Sequence, residues 1–137
     1  YYSTSGAPAQ EGYEQLDFET LLTQSDIISV HAPLNEHTEG LINSKAFEKM
    51  KSSCIFLNLG RGPIVDEQAL YNALVRNQIA AAGLDVLCKE PMSADNPLLK
   101  IKDSKRLLIT PHIAWASVEA RTHLMEIIHG QVKDFFA

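Results

Sequence analysis

Four short, almost unbroken apolar runs set the strongest limit on what this chain can fold into. They are Asp26-Ile27-Ile28-Ser29-Val30, Cys54-Ile55-Phe56-Leu57-Asn58-Leu59, Ile79 to Leu87, and Arg106-Leu107-Leu108-Ile109-Thr110. A strand with one solvated face alternates apolar and polar residues, whereas continuous apolar runs of this length belong to strands buried on both sides. Each run stops where the chain can turn: at His31-Ala32-Pro33-Leu34, at Gly60, near Asp85, and at Pro111. Helical stretches lie between them. Asp17 can cap a helix carrying Phe18, Leu21 and Leu22; Ser44 to Lys51 spaces Phe47 and Met50 by three; Asp66 opens a helix with Leu70, Ala73 and Leu74 on one side. From Ser117 to the end, Leu124, Ile128 and Val132 recur every four residues, marking one long amphipathic helix that needs something sizeable to pack on. Strands alternating with helices through short links predict an α/β fold, a parallel sheet covered on both faces.

In such sheets ligands bind beyond the carboxyl ends of the strands, where loops and helix N-termini present free backbone donors. Three of the four strand ends carry a reactive side chain: Arg61, Glu90 and His112. Taken singly, each has a structural explanation. The glycines around Arg61 can serve a tight turn, Glu90 can be a surface acid, and His112 can be a turn residue satisfied by a carbonyl. Taken together, they meet the needs of 2-keto acid reduction, in which a carboxylate is held, a keto oxygen is protonated and a hydride reaches carbon. Arg61 offers a planar fork of donors that keeps its charge. His112 can give and take a proton near neutrality. Glu90, within reach of the other imidazole nitrogen, would fix the tautomer, and the pair would titrate as a unit.

Composition excludes other classes. The chain is 45% hydrophobic and 21% charged, as globular domains are, and its net charge of -5 opposes binding to nucleic acid or an anionic membrane surface. No apolar run approaches membrane-spanning length. The two cysteines, Cys54 and Cys88, are too few for a disulfide scaffold, which points to a reducing cytoplasm. No histidine stands at metal-ligand spacing from cysteines or carboxylates, so no metal is expected.

The runs Val30-His31-Ala32-Pro33-Leu34, Asn58 to Asp66, Gly83 to Pro91, and Thr110-Pro111-His112-Ile113-Ala114-Trp115 resemble, in this order, the signatures of the D-2-hydroxyacid dehydrogenases. The likeness covers nearly the whole chain. Within that family, His112 to Ser117 is most similar to glycerate dehydrogenases, also called hydroxypyruvate reductases. The resemblance implies a Rossmann-type NAD-binding domain and a catalytic trio of Arg61, Glu90 and His112. It also implies Asp85 near the nicotinamide carboxamide; Ala32, Pro33, Leu59, Gly60, Arg61, His112 and Ala114 along the cofactor; and Trp115 with Arg61 in the substrate pocket.

Two features depart from the family pattern. The Gly-x-Gly-x-x-Gly turn that holds a pyrophosphate is not in the sequence. Tyr1-Tyr2 resembles the tail of a second strand, so the expectation is a C-terminal fragment, with the first strand, the phosphate turn and the substrate domain upstream. In the order 3-2-1-4-5-6 the first strand would sit between the remaining pieces, whose sheet edges and apolar surface would be left open. Residues 1–116 are then a partial Rossmann domain, and residues 117–137 a helix returning toward the substrate domain. Second, Ser3 stands where an acid usually receives the ribose 2'-hydroxyl, so the cofactor reads as NAD with NADP not excluded. The expected activity is hydride transfer between NAD(P)H and a small 2-keto or 2-hydroxy acid, in a homodimer. The alternatives are a dinucleotide-sensing corepressor of the C-terminal binding protein type and a fragment without activity of its own.

Overall fold

The computed structural model describes residues 1–136. Among the described residues, four α-helices and four strands follow one another: α1 (Phe18–Gln24), β1 (Ile27–Val30), α2 (Ser44–Lys49), β2 (Ile55–Asn58), α3 (Glu67–Val75), β3 (Ala81–Leu84), β4 (Leu107–Ile109) and α4 (Val118–Phe135). Two 3-10 turns, Gly62–Ile64 and Pro97–Lys100, interrupt the loops after β2 and β3. Every α-helix starts on a side-chain cap: Asp17 accepts from the Thr20 amide, Asn43 from Lys45 and Ala46, Asp66 from Ala69, and Ser117 from Ala120. Each cap satisfies a donor that the helix cannot, which is worth about 1 kcal/mol.

The strands form one parallel sheet in the order β1-β2-β3-β4. Its register aligns Ile28, Phe56, Ala82 and Leu107 in one row and Ser29, Leu57, Gly83 and Leu108 in another. The first row faces the core. Phe56 meets Phe47 of α2 edge to face, with ring centroids 5.5 Å apart, and Leu70 and Leu74 of α3 complete the packing.

The opposite face of the sheet is bare, contrary to the expectation of helices on both sides but in keeping with the open apolar surface expected of a partial domain. Ile27, Ile55 and Leu108 are 61%, 40% and 62% exposed. Chain order explains this. Parallel crossovers are right-handed, so strands added in one unbroken direction place every connecting helix on the same face; covering the other face takes a reversal of strand order. β1 to β4 contain no reversal.

The third strand is also shorter than expected, four residues rather than the nine from Ile79 to Leu87. Its partner β2 ends at Asn58, whose side chain turns away to hold the next loop. Tyr1 and Tyr2 form no strand; Tyr1 pairs with the loop before α1 through the Glu14 carbonyl and the Leu16 amide. The four strands are contiguous, and β1 and β4 are the two edges of the sheet. A groove of about 430 Å³ runs between Tyr1–Thr4 and β1. α4 packs no residue into the core: Leu124, Ile128 and Val132 stay exposed. The last residue of the predicted helix, Ala137, lies outside the described residues.

Candidate active site

Asn58 is buried at the end of β2, where its amide does work that a backbone ladder would otherwise do. Its Oδ1 accepts from the Gly60 amide at 3.1 Å and its Nδ2 donates to the Arg61 carbonyl at 3.1 Å. The turn thus held pushes the exposed Arg61 side chain out past the sheet, with Nη1 donating to the Gly60 carbonyl at 2.9 Å. Gly60 lies so close to the loop after β1 that a Cβ there would stand 3.0 Å from the Ala32 carbonyl oxygen. His31, Ala32, Pro33, Leu34, Leu59, Gly60 and Arg61 together line a hollow of about 470 Å³ beyond the carboxyl ends of β1 and β2.

Beyond β3 and β4 stands a second group. Glu90 Oε2 and His112 Nδ1 are 3.0 Å apart, each side chain about two-fifths exposed. The other Glu90 oxygen accepts from the Leu87 amide at 2.8 Å. That backbone donor first, and the imidazole second, hold the Glu90 pKa below its ordinary value. An ionised carboxylate only accepts, so Nδ1 carries the proton and Nε2 is left with its lone pair outward in the neutral ring. Among the described residues Nε2 has no hydrogen-bond partner.

Asp85 builds the turn that presents this imidazole. It is 3% exposed, and it accepts from Thr110 Oγ1 at 2.6 Å and the Ile113 amide at 2.9 Å on one oxygen, and from the Ala114 amide at 2.8 Å on the other. Burial on its own would raise the Asp85 pKa, but these donors and the neighbouring His112 outweigh it and lower the value. With the turn fixed, His112 takes a left-handed backbone conformation, φ 57°. For a non-glycine residue that is an uncommon state, kept only where the surroundings over-determine it. Glu90, His112, Asp85, Thr110 and a largely apolar wall from Met92 to Ile109 border a cavity of about 850 Å³.

The structure therefore brings Glu90, His112, Asp85 and Ala114 together, and groups Arg61 with Ala32, Pro33, Leu59 and Gly60 in the neighbouring hollow. Trp115 donates from Nε1 to the His112 carbonyl at 2.9 Å and otherwise faces a hollow shared with Val118 and Met125 of α4. Ser3 sits apart, in the groove beside β1, bonded to Ser5. Asn58 and Thr110 were not singled out in the sequence as site residues. A polar residue closing an apolar strand, as each does, is the signal that could have found them. Among the described residues no cluster of three His, Cys, Asp or Glu could hold a metal ion, and no helix is long and apolar enough to cross a membrane.

Residues 1–114 match the D-isomer specific 2-hydroxyacid dehydrogenase family, NAD binding domain. The chain belongs to this family. It is 45% identical over 125 residues to a hydroxypyruvate reductase of Blautia hydrogenotrophica, covering 91% of the chain and 38% of that protein. Among solved structures it superposes on an acyclic imino acid reductase in complex with NADPH and D-Arg, with a TM-score of 0.85, 35% identity, and coverage of 98% of this chain and 42% of that one. It also matches the D-lactate dehydrogenase of Aquifex aeolicus complexed with NAD and lactic acid, with a TM-score of 0.82, 28% identity, and coverage of 98% and 45%. The chain spans about two-fifths of the length of the first of these relatives.

Proposed function

We propose that the protein is an NAD(H)-dependent dehydrogenase that interconverts a small 2-keto acid and its D-2-hydroxy acid, of the hydroxypyruvate and D-glycerate type. The observation that carries this reading is the Glu90 and His112 pair at the strand ends, with Nδ1 engaged and Nε2 free. In this reading His112 Nε2 gives a proton to the keto oxygen during reduction and removes it during oxidation. Glu90 holds the imidazole in orientation and fixes the tautomer with the proton on Nδ1. Arg61 turns its guanidinium from the Gly60 carbonyl to the substrate carboxylate and orients it with two parallel hydrogen bonds. Trp115, anchored through its indole N–H, would shape the substrate pocket.

The residues present suit a dinucleotide. The hollow past β1 and β2 lies where open α/β sheets bind one, and the Gly60 and Ala32 backbones meet there with no intervening side chain. Ala32, Pro33, Leu59, Gly60, Arg61, His112 and Ala114 would line it. Asp85 Oδ2 accepts a single hydrogen bond and keeps capacity for a carboxamide N–H. When bound, the nicotinamide supplies or takes up the hydride. Ser3 carries no charge to repel a 2'-phosphate, so NADPH is a poorer but admissible reductant. Residues 1–116 serve as the dinucleotide-binding part, and α4 carries the chain toward a substrate domain. A cytoplasmic homodimer is the form this reading expects.

Steady-state oxidation of NADH and NADPH by the full-length natural protein, with hydroxypyruvate, glyoxylate and pyruvate, tests the proposal. Turnover of hydroxypyruvate with NADH is the expected result. NADH binding without turnover of any 2-keto acid would refute it.

A further inference from the structure

Glu67 opens α3, where an acid ordinarily favours the helix dipole, yet its carboxylate bonds none of the helix's own amides. Asp66 already caps them through Ala69. Both oxygens of Glu67 instead reach across to the loop that carries Glu90. Oε1 accepts from the Cys88 amide at 2.8 Å, and Oε2 accepts from Asn96 Nδ2 at 2.8 Å. Asn96 is 6% exposed and is itself fixed, its Oδ1 accepting from the Leu98 amide. One half-buried carboxylate thus grips the loop on both sides of Glu90.

Two more contacts follow the same line. The Cys88 thiol donates to the Val65 carbonyl at 3.5 Å, and the Leu87–Cys88 peptide rests directly on Gly62. The segment from Arg61 to Glu67 and the segment from Leu87 to Asn96 are therefore fastened to each other at several points. Leu87 supplies the amide that binds Glu90, and Cys88 is the next residue. Loosening Cys88 releases that amide.

Resting on the dehydrogenase reading above, we infer that Glu67 is a positioning residue: it locks the Glu90 loop to the Arg61 loop, and so sets the distance between the proton-transfer pair and the carboxylate-binding arginine. It touches neither substrate nor cofactor.

The test compares Glu67→Ala and Glu67→Gln in the full-length protein. Three quantities are read: kcat/KM against pH with hydroxypyruvate, NADH affinity by fluorescence, and the rate at which a maleimide labels Cys88, followed by mass spectrometry of its peptide. Cys88 reports on the clamp without any turnover. Burial first, and the Glu67 charge second, push its thiol pKa up to about 11, so removing Glu67 speeds labelling. The Ala variant is expected to lose kcat/KM on the order of 10- to 100-fold, the scale of an ångström-sized misplacement. Its acid limb should also move to higher pH as Glu90 loses its Leu87 donor while still facing His112 and Asp85. NADH affinity should stay unchanged. The Gln variant still accepts from the Cys88 amide and should recover most of the activity. Faster labelling with unaltered kcat/KM and pH profile would overturn the positioning role, and unaltered labelling would overturn the contact itself. A wild-type protein that turns over no 2-keto acid would remove the functional reading, and the labelling result would still stand or fall separately.

Discussion

Gly62→Ala asks the most of the arrangement for the smallest chemical change. Gly62 needs no special backbone angle; what it lacks is room. An added Cβ would stand 2.0 Å from the carbonyl carbon and oxygen of Leu87 and 2.5 Å from the Cys88 nitrogen. Those atoms are backbone, so no side chain can swing away. Restoring ordinary contact at 3.4 Å requires the two loops to part by about 1.4 Å. Overpacking of this kind costs roughly 1–3 kcal/mol, and the stretched Glu67 and Val65 contacts place the cost at the upper end. In a thermal scan that corresponds to a fall in Tm of roughly 5–10 °C. The same displacement separates Arg61 from the Glu90 and His112 pair, so kcat/KM should drop on the order of 100-fold under conditions where the variant remains folded. Circular dichroism for Tm and NADH oxidation for kcat/KM, both on the full-length protein, check the two halves. A variant with wild-type Tm and wild-type kcat/KM would show that the two loops are not in contact and would dismantle the coupling between them.

The remaining predictions address single groups. Arg61→Lys keeps the charge but loses the planar fork, so KM for the keto acid should rise and kcat/KM fall about 10- to 100-fold; near-wild-type kinetics would exclude Arg61 from carboxylate binding. His112→Gln should lower kcat on the order of 100- to 10,000-fold with little change in NADH affinity, and an unchanged kcat would rule out its acid/base role. The native Glu90 pKa is lowered from 4.5, so the wild-type pair persists to a lower pH than a free glutamate would allow; Glu90→Gln should abolish the acid limb of kcat/KM, and an unmoved limb would break the proposed coupling. Asp85 is depressed below 3.8, so the stability it contributes is present above 3.8 and is lost as pH falls through the lower native value. Asp85→Asn would set an amide N–H against a buried backbone donor, costing about 1–3 kcal/mol at neutral pH, and calorimetry should find that gap narrowing below pH 3.8; a gap independent of pH would reject the assignment.

Much of this arrangement was legible in the residues, for identifiable reasons. Helix starts at Asp17 and Asp66 are local, each cap satisfied within three positions along the chain, so reading them requires no tertiary knowledge. The pairing of Glu90 with His112 spans 22 residues, yet it was accessible because both follow strand ends, which a parallel sheet gathers at one edge. The clamp at Glu67 was not accessible. Its partners lie 21 and 29 residues away in a loop without periodicity, and an acid at a helix start already has a sufficient local explanation in the dipole. Trp115 was similarly ambiguous, since an aromatic residue beside a strand-end histidine can face either the pocket or a neighbouring helix.

The bare sheet face marks the other boundary of local reasoning. Continuous apolar runs in β1 to β4 state that both faces want covering, and this remains true of the residues: Ile27, Ile55 and Leu108 are apolar yet open to solvent. Handedness decides that the helices between these strands cannot cover both. With strand order running one way only, α1, α2 and α3 fall on the Phe56 side, and the row of Ser29, Leu57, Gly83 and Leu108 stays uncovered whatever its side chains are. Hydrophobic pattern fixes which residues need burial, and topology fixes which of them this stretch of chain can bury. The site survives the mismatch because it depends on neither face. Arg61, Glu90 and His112 hang from the carboxyl edge, where Asn58 holds its own turn and Asp85 and Glu67 fasten one loop to the next through hydrogen bonds.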